Sequence, residues 1–419
     1  MASPPLASPS PRTLPEWLQA AVKSRGDAVA VRHKVRGIWR PRTWRRLAAE
    51  VVCVAGAFEA RGFQRGDAVV VAGCVRPEAI VATLAAQWLG GAAIWVERSD
   101  PGKLLPSRMQ TGATPRLCVA FANDEAGLVA LRTAPELASS LALGLHATPR
   151  GPLRGLDPTL LAYDDLVPAS LAEPAGARPS GAPDEPALFV EEKGVQGESS
   201  DARAPGQPSL GLRPLTHKEL IASARAWCED ERIDDRYDAF IWEQSPPAQI
   251  RGLLAAWLVA GFCLNCPEHA STTKFDRREL GPTLLVGSSD AYAALHRDVV
   301  ESLPRSGTVA RWLVDWGLAE KESPWKAIVG EWLVRRPLRD VLGLSRVKTA
   351  LVLGAAPDIP VTNFFSRLGT PLHAVSIERR DDRVDLPYEG DVVSTALEGL
   401  ASILEPTPDL VTSPRGGPS

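Results

Sequence analysis

Two stretches of the 419-residue chain alternate strand and helix signals in a way that predicts a layered α/β fold. Residues 67–74 form a continuous apolar run, which is typical of a strand covered on both faces. Pro77 then begins a helical pattern that ends at Gly90 and Gly91, and Ala92–Val96 is a second apolar run. A strand, a helix and a strand within about 30 residues predict a βαβ unit with parallel strands.

The same pattern recurs 170 positions later in the chain. Pro77, Leu84-Ala85-Ala86 and Gly91 correspond to Pro247, Leu254-Ala255-Ala256 and Gly261. The length also suits more than one domain, since a domain usually has roughly 100–200 residues. We therefore predict an α/β protein with two similar α/β subdomains, each built on a mainly parallel sheet flanked by helices.

Composition divides the chain into five predicted segments. These are a disordered arm, 1–12; a first α/β subdomain, 13–167; a Pro/Gly-rich linker or loop, 168–211; a second α/β subdomain, 212–392; and a mostly disordered tail, 393–419. The linker holds only one short apolar island, at residues 188–190, and polar Pro-rich sequence of this kind predicts a flexible connection.

Local signals place the first helices. Thr13, with Glu16 three residues later, predicts a capping box at a helix start. A second helix is predicted over Trp44–Ala60, ending at a left-handed glycine at residue 62. Four arginines near its start are predicted to be exposed: Arg40, Arg42, Arg45 and Arg46.

Charge and hydropathy exclude several classes of protein. A net charge of −3 and a pI near 6.1 give no basic footprint for nucleic acid. The longest weakly polar run, 79–96, is broken by glycines, so we predict no membrane span. Six irregularly spaced cysteines and an N-terminus without an apolar signal core predict a cytoplasmic protein. Frequent Arg and Ala with little Lys suggests a GC-rich bacterial genome.

The common catalytic and metal-binding signatures are missing from the sequence. Cys263 and Cys266, followed by His269, have the spacing of half a zinc site, but no second half accompanies them. In the repeated unit these cysteines fall on strand positions, which favours small core side chains. We predict no catalytic residue and no metal ligand.

An ordered series of short motifs runs along most of the chain: Thr13-Leu14-Pro15, Gly37-Ile38-Trp39, Thr43-Trp44, Gly66-Asp67, Arg336-Pro337-Leu338-Arg339, Leu342-Gly343-Leu344 and Leu353-Gly354-Ala355-Ala356-Pro357. This series resembles the adenylate-forming enzymes, the AMP-dependent synthetase/ligase superfamily, and most closely the long-chain fatty acyl-CoA synthetases. The resemblance covers roughly residues 13–375 and implies the N-terminal-domain fold of those enzymes.

The resemblance nominates remnants of a nucleotide site. Gly354, Ala355, Ala356 and Pro357 match a run that family members carry before the strand and turn that hold the adenine, which makes them candidates to line an adenine or acyl pocket, although a strand-to-helix turn would require small residues equally. Thr216 lies in a Leu-Thr-His sequence that matches the exit of the family's phosphate loop, but it is also an ordinary N-cap for the following helix, and we favour the cap.

The catalytic signatures of the family are altered. A loop of Ser, Thr and Gly should bind ATP phosphates after the island at 188–190, but Glu191 and Glu192 stand there, and their carboxylates would repel phosphate. The aromatic-Gly-x-Thr-Glu turn is missing near residues 376–380. We also expect no C-terminal lid domain carrying the catalytic lysine, because the sequence ends at Ser419.

Three hypotheses follow from this combination. The first is a catalytically inactive pseudoenzyme of fatty acid metabolism, a binding or partner subunit that retains an acyl pocket, takes a fatty acid or another protein as partner, and needs no cofactor. The alternative is an active ATP-dependent fatty acyl-CoA or acyl-AMP ligase that uses Mg-ATP and CoA, with divergent motifs or a lysine domain supplied in trans. The third is an unrelated α/β scaffold.

Overall fold

The computed structural model describes residues 10–96, 115–133, 137, 139–147, 159–171, 178–193, 210–242, 246–319, 324–354 and 356–375. All of them fall within one compact unit, residues 1–377. In the part of the chain that is described, no helix is long and apolar enough to cross a membrane.

The strands are β1 (Val29–Val35), β2 (Ile38–Thr43), β3 (Ala68–Ala72), β4 (Ala92–Val96), β5 (Leu117–Ala122), β6 (Leu143–His146), β7 (Leu160–Ala162), β8 (Pro186–Lys193), β9 (Leu210–Thr216), β10 (Asp238–Ile241), β11 (Cys263–Cys266), β12 (Leu284–Gly287), β13 (Thr349–Leu353) and β14 (Leu372–Val375).

The helices are α1 (Leu14–Arg25), α2 (Trp44–Ala60), α3 (Pro77–Trp88), α4 (Glu125–Arg132), α5 (Tyr163–Leu166), α6 (His217–Asp230), α7 (Pro246–Ala260), α8 (Thr273–Leu280), α9 (Ser289–Ser302), α10 (Val309–Leu318), α11 (Pro324–Gly330), α12 (Arg336–Leu342) and α13 (Ile359–Leu368). A π-helical turn, Glu331–Arg335, joins α11 to α12.

The described strands assemble into two seven-stranded sheets. Their orders are β14-β13-β12-β10-β11-β1-β2 and β7-β6-β5-β3-β4-β8-β9. Neighbours are parallel except in the edge hairpins β1–β2 and β8–β9, which are antiparallel. The predicted fold class, an α/β protein with two mainly parallel sheets flanked by helices, is confirmed.

The main hydrophobic core lies between the two sheets. Every residue of α3 is buried, and α7 occupies the equivalent place after β10. Alternate residues of β3 divide between faces, so that Val69 and Val71 join this central core while Val70 joins a second core under α4. A third core packs α9 and α13 against the outer face of the other sheet. The strands, buried on both faces, are continuous apolar runs for this reason.

Sheet membership does not follow the predicted division of the chain. The strands β1 and β2, early in the chain, lie in the sheet with β10–β14, where Val31 of β1 pairs with Leu264 of β11. The region 168–211, predicted to be a linker, contains β8, because Ala187, Leu188 and Val190 are buried in the central core. The boundaries at 167 and 212 stay predictions.

Candidate functional site

The residues nominated for a nucleotide site, Gly354, Ala356 and Pro357, follow the carboxyl end of β13. Gly354 is exposed with φ of +101°, and a Cβ built there would meet no atom within 4 Å. Ala356 is exposed and Pro357 is half-buried, whereas Ala355 lies outside the described residues. In parallel α/β sheets ligands bind beyond the carboxyl ends of strands, so this open turn can accept the face of a flat ligand.

Thr216 acts as the N-cap of α6. Its Oγ1 accepts a hydrogen bond from the Glu219 backbone N–H at 3.2 Å, and Glu219 Oε2 accepts one from the Thr216 N–H at 2.9 Å. This reciprocal pair is a capping box, the arrangement also found between Thr13 and Glu16 at α1. Thr216 ends β9 in one sheet, and Gly354 follows β13 in the other.

The family's phosphate loop would connect β8 to β9. These strands pair from Pro186 with Thr216 to Lys193 with Leu210, so Glu191 and Glu192 belong to the paired part of the hairpin. The connection itself, 194–209, lies outside the described residues, and so does the segment 376–380, from which the Thr-Glu turn is predicted to be missing. The backbone therefore places two glutamates in the strand that leads into the connection.

A buried ionic network, which the sequence analysis missed, lies where β2 meets the starts of α3 and α5. We call it the Arg42 cluster; its members are Arg42, Arg46, Glu50, Arg76, Glu78 and Tyr163. Glu78 is 6% exposed and accepts from Arg42 Nη2 at 2.5 Å and from Arg76 Nε at 2.7 Å. Glu50 accepts from Arg46 Nε and from the Tyr163 hydroxyl, both at 2.7 Å.

The expectation that Arg42 and Arg46 are exposed is wrong. Their side chains are 21% and 28% exposed because they turn inward to the two carboxylates. One signal in the sequence could have found the cluster. Glu78 is the only charged residue in the mostly apolar helix that begins at Pro77, and a buried charge requires a partner of opposite sign.

The electrostatics of the Arg42 cluster favour a structural role. Arg42 and Arg76 hold the pKa of the Glu78 carboxyl well below its usual range, against the opposing effect of burial. Burial, with Glu50 beside it, raises the pKa of Tyr163 well above its usual range. Glu78 therefore stays ionised and Tyr163 stays neutral at physiological pH, so neither side chain is poised to exchange a proton with a substrate.

Replacement of Glu78 by alanine is expected to destabilise the protein by about 3–5 kcal/mol, since it leaves Arg42 and Arg76 facing each other without their shared carboxylate. Urea unfolding measures the change. Asp27→Asn is the matched control, because it breaks the exposed Arg45–Asp27 pair and should change stability by less than about 1 kcal/mol. Equal effects of the two substitutions would contradict the structural role.

The cysteines and histidines form no assembled site among the described residues. Cys263 and Cys266 are buried on β11, as the repeat predicts, and burial raises the pKa of Cys263 to about 12. No group of three His, Cys, Asp or Glu side chains that could hold a metal ion occurs in the described part of the chain.

Comparison with known proteins identifies the fold. A family model described as AMP-binding enzyme matches residues 18–135. An acetoacetyl-CoA synthetase from Streptomyces lividans superposes with a TM-score of 0.60 at 17% identity, over 86% of this chain and 50% of that chain. The fold is that of the N-terminal part of the adenylate-forming enzymes. The predicted resemblance to this superfamily is confirmed.

Other adenylate-forming structures match in the same way. An anthranilate CoA ligase in complex with anthranoyl-AMP gives a TM-score of 0.59 at 15% identity, over 86% of this chain and 58% of that chain. A structure described as a long-chain-fatty-acid CoA ligase from Rhodopseudomonas palustris gives a TM-score of 0.56 at 12% identity, over 87% of this chain and 75% of that chain. No curated protein matches the sequence. The chain thus spans about half the length of the first two structures and resembles AMP-binding acyl- and aryl-CoA ligases.

Proposed function

We propose that the protein binds an acyl or aryl carboxylic acid and does not activate it with ATP, so that it serves as a binding or partner subunit. The observation that carries the proposal is the pair Glu191 and Glu192 in β8, at the entrance to the connection where the resembled enzymes have their phosphate loop. The hydrophobic core between the two sheets is well packed, and the turn at Gly354 is open. Both observations support a retained surface for ligand binding.

Coulomb repulsion between like charges sets the size of this effect. Two unit charges of the same sign 4 Å apart repel by about 1 kcal/mol in bulk water and by about 4 kcal/mol near a protein surface. Phosphate-binding loops instead present backbone N–H groups and hydroxyls to the anion. Two added negative charges in the strand that leads into this connection oppose the binding of a triphosphate there, whereas they do not repel the uncharged chain or ring of an acyl or aryl acid.

The exchange of radiolabelled pyrophosphate into ATP tests this proposal directly. With fatty acids of several chain lengths and with benzoic-type acids, we expect no exchange above a heat-killed control. The variant Glu191→Ser/Glu192→Thr is expected to bind Mg-ATP about tenfold more tightly than the unchanged protein, which is about 1.4 kcal/mol. Glu229→Ser/Asp230→Thr, on the exposed end of α6, removes the same charge elsewhere and should leave Mg-ATP affinity unchanged.

Ligand stabilisation supplies the positive readout. A carboxylic acid present at about 100 times its dissociation constant adds about 2.7 kcal/mol to stability and raises the melting temperature by a few degrees. We expect such a shift with an acid alone, and none with Mg-ATP or CoA. Pyrophosphate exchange by the unchanged protein would overturn the proposal.

The second candidate is an active ATP-dependent acyl-CoA or acyl-AMP ligase that uses Mg-ATP and CoA. It is favoured by the glycine turn at Gly354, which is open and follows a strand paired in parallel with both of its neighbours. A melting-temperature increase with Mg-ATP, together with pyrophosphate exchange, would select this candidate over the binding subunit.

A further inference from the structure

Two buried polar atoms beside the start of β8 have no hydrogen-bond partner among the described residues. They are Nε2 of His217, the first residue of α6, and Oε1 of Gln87, near the end of α3. Both residues are fully buried. Buried donors and acceptors are almost always paired, with protein or with ordered water, because an unpaired one loses its hydrogen bonds to solvent. The two atoms therefore mark a place where a further hydrogen-bonding group is required.

The other contacts of these side chains determine which atom donates and which accepts. Nδ1 of His217 accepts a hydrogen bond from the Leu14 N–H at 3.2 Å, so the proton of the neutral ring lies on Nε2, which is a donor. Nε2 of Gln87 donates to the Ala187 carbonyl at 2.9 Å, so its Oε1 is the acceptor. The opposite assignments would set a donor against the Leu14 N–H and an acceptor against the Ala187 carbonyl. The unpaired atoms are thus one donor and one acceptor.

The backbone brings the two side chains to one stretch of chain at the start of β8. The His217 N–H donates to the Glu185 carbonyl at 3.3 Å, and the Gln87 side chain bonds to Ala187, two residues further along. Gly181 lies against both residues, because a Cβ built there would be 3.7 Å from His217 Nε2 and 3.3 Å from the Gln87 carbonyl oxygen. The glycine therefore faces His217 and Gln87 with no side chain of its own between them.

We propose that one ordered water molecule binds between α3 and α6, on the side of Gly181 that faces these two residues. The water accepts a hydrogen bond from His217 Nε2–H and donates one to Gln87 Oε1, and its second proton points to the Gln87 carbonyl oxygen, which borders the same space. About three hydrogen bonds are typical of a buried water. An ammonium ion does not fit this set, because it has no lone pair to accept from Nε2–H.

The bound water joins helices that follow different strands of the first sheet. It links α3, which follows β3, to α6, which follows β9, and through His217 it connects to Leu14 at the start of α1. A water acceptor at Nε2 holds the ring in the form whose Nδ1 accepts from Leu14. The water site is independent of the function proposed above, since it includes neither the Gly354 turn nor Glu191 and Glu192.

A high-resolution crystal structure of the full chain tests the proposal directly. We expect a well-ordered water oxygen at about 2.7–3.2 Å from both His217 Nε2 and Gln87 Oε1. In solution, the Nε2–H proton of His217 should show a nuclear Overhauser effect to a long-lived water. The proposal is overturned if the refined site holds no water, or if Nε2 donates directly to Gln87 Oε1 or to another protein group.

The variant Gly181→Ala gives a second test, in which the sign of the effect decides. Gly181 has no positive φ, and alanine at such a position usually stabilises a protein by restricting the unfolded chain. Here the methyl group would displace the water and leave both side chains unpaired, so we expect the melting temperature to fall by a few degrees. Gly56→Ala, on the exposed side of α2 with no atom within 4 Å, is the control and should raise the melting temperature slightly.

The two measurements together exclude simple crowding as the cause. A melting temperature of Gly181→Ala equal to or above that of the unchanged protein would overturn the proposal. So would a fall in melting temperature when the crystal structure of the unchanged protein holds no water at the site, because contact of the methyl group with the Gln87 carbonyl would then explain the loss.

Discussion

The free energy of unfolding should fall by several kcal/mol as the pH is lowered from 7 to 4, because two histidines are buried in the neutral form. His33 is 7% exposed and His217 is fully buried. Burial lowers the pKa of each to about 4, with Arg76 and Arg42 contributing at His33 against the opposing effect of Glu78. The ordinary histidine pKa, near 6.5, applies once the chain unfolds.

The sign of the effect follows from proton binding. Between about pH 6.5 and pH 4 the unfolded chain holds protons that the folded chain does not, so stability declines as the pH falls through this window and is constant above it. Each histidine contributes a slope of up to about 1.4 kcal/mol per pH unit. The total loss is about 3 kcal/mol for each residue, a large fraction of the usual stability of a domain.

The geometry at His217 explains why protonation is unfavourable there. Its Nδ1 accepts a hydrogen bond from the Leu14 backbone N–H at 3.2 Å, which requires the proton of the neutral ring to lie on Nε2. A second proton on Nδ1 would replace this acceptor with a donor and break the contact between α6 and the start of α1. Acid should therefore release the N-terminal helix as well as weaken the core.

Urea unfolding at a series of pH values measures the slope. His33→Gln and His217→Gln should each reduce the slope of stability against pH between pH 5 and pH 6 by the amount that corresponds to about one bound proton, which is about 1.4 kcal/mol per pH unit. His269→Gln, at an exposed position, is the control and should leave the slope unchanged. A slope that neither buried-histidine variant reduces would show that other groups govern the acid sensitivity.

Elements whose signals are local could be predicted from the sequence. The helix Trp44–Ala60 and the strand Ala92–Val96 have the predicted bounds, because a threonine cap and a pair of glycines mark their ends within a few residues. The capping box at Thr13 is likewise contained in four consecutive residues. Such signals depend on backbone sterics and short-range hydrogen bonds, which need no knowledge of the rest of the chain.

Features that depend on distant partners could not be predicted. The pairing of Val31 with Leu264 joins residues more than 200 positions apart, and the apolar pattern of either strand is compatible with other neighbours. Arg42 has a polar local context, and only the fold brings Glu78 within 2.5 Å of it. For the same reason, the residues Gly354 and Thr216 do not by themselves show whether they belong to a ligand-binding turn or have only a structural role.

Replacement of Trp257 by alanine is expected to produce the largest loss of stability from a single substitution in the core, about 3–5 kcal/mol. Trp257 lies in α7 and Trp44 begins α2; their rings stack with centroids 4.7 Å apart, and neither is exposed. The Trp257 Nε1–H also donates to the Ala30 carbonyl of β1 at 3.0 Å. Alanine leaves a cavity and removes the indole donor from a buried carbonyl at the place where two helices and a strand meet.

Two further variants, measured by urea unfolding, separate the contribution of the buried ring from that of its hydrogen bond. Trp257→Phe keeps most of the stacking and loses the hydrogen bond, so it should lose less, about 1–2 kcal/mol. Trp332→Ala removes a tryptophan of equal size from an exposed position and should change stability by less than about 0.5 kcal/mol. Because burial in the central layer is the physical cause, a Trp257→Ala loss no greater than that of Trp332→Ala would mean that α7 is not packed between the two sheets.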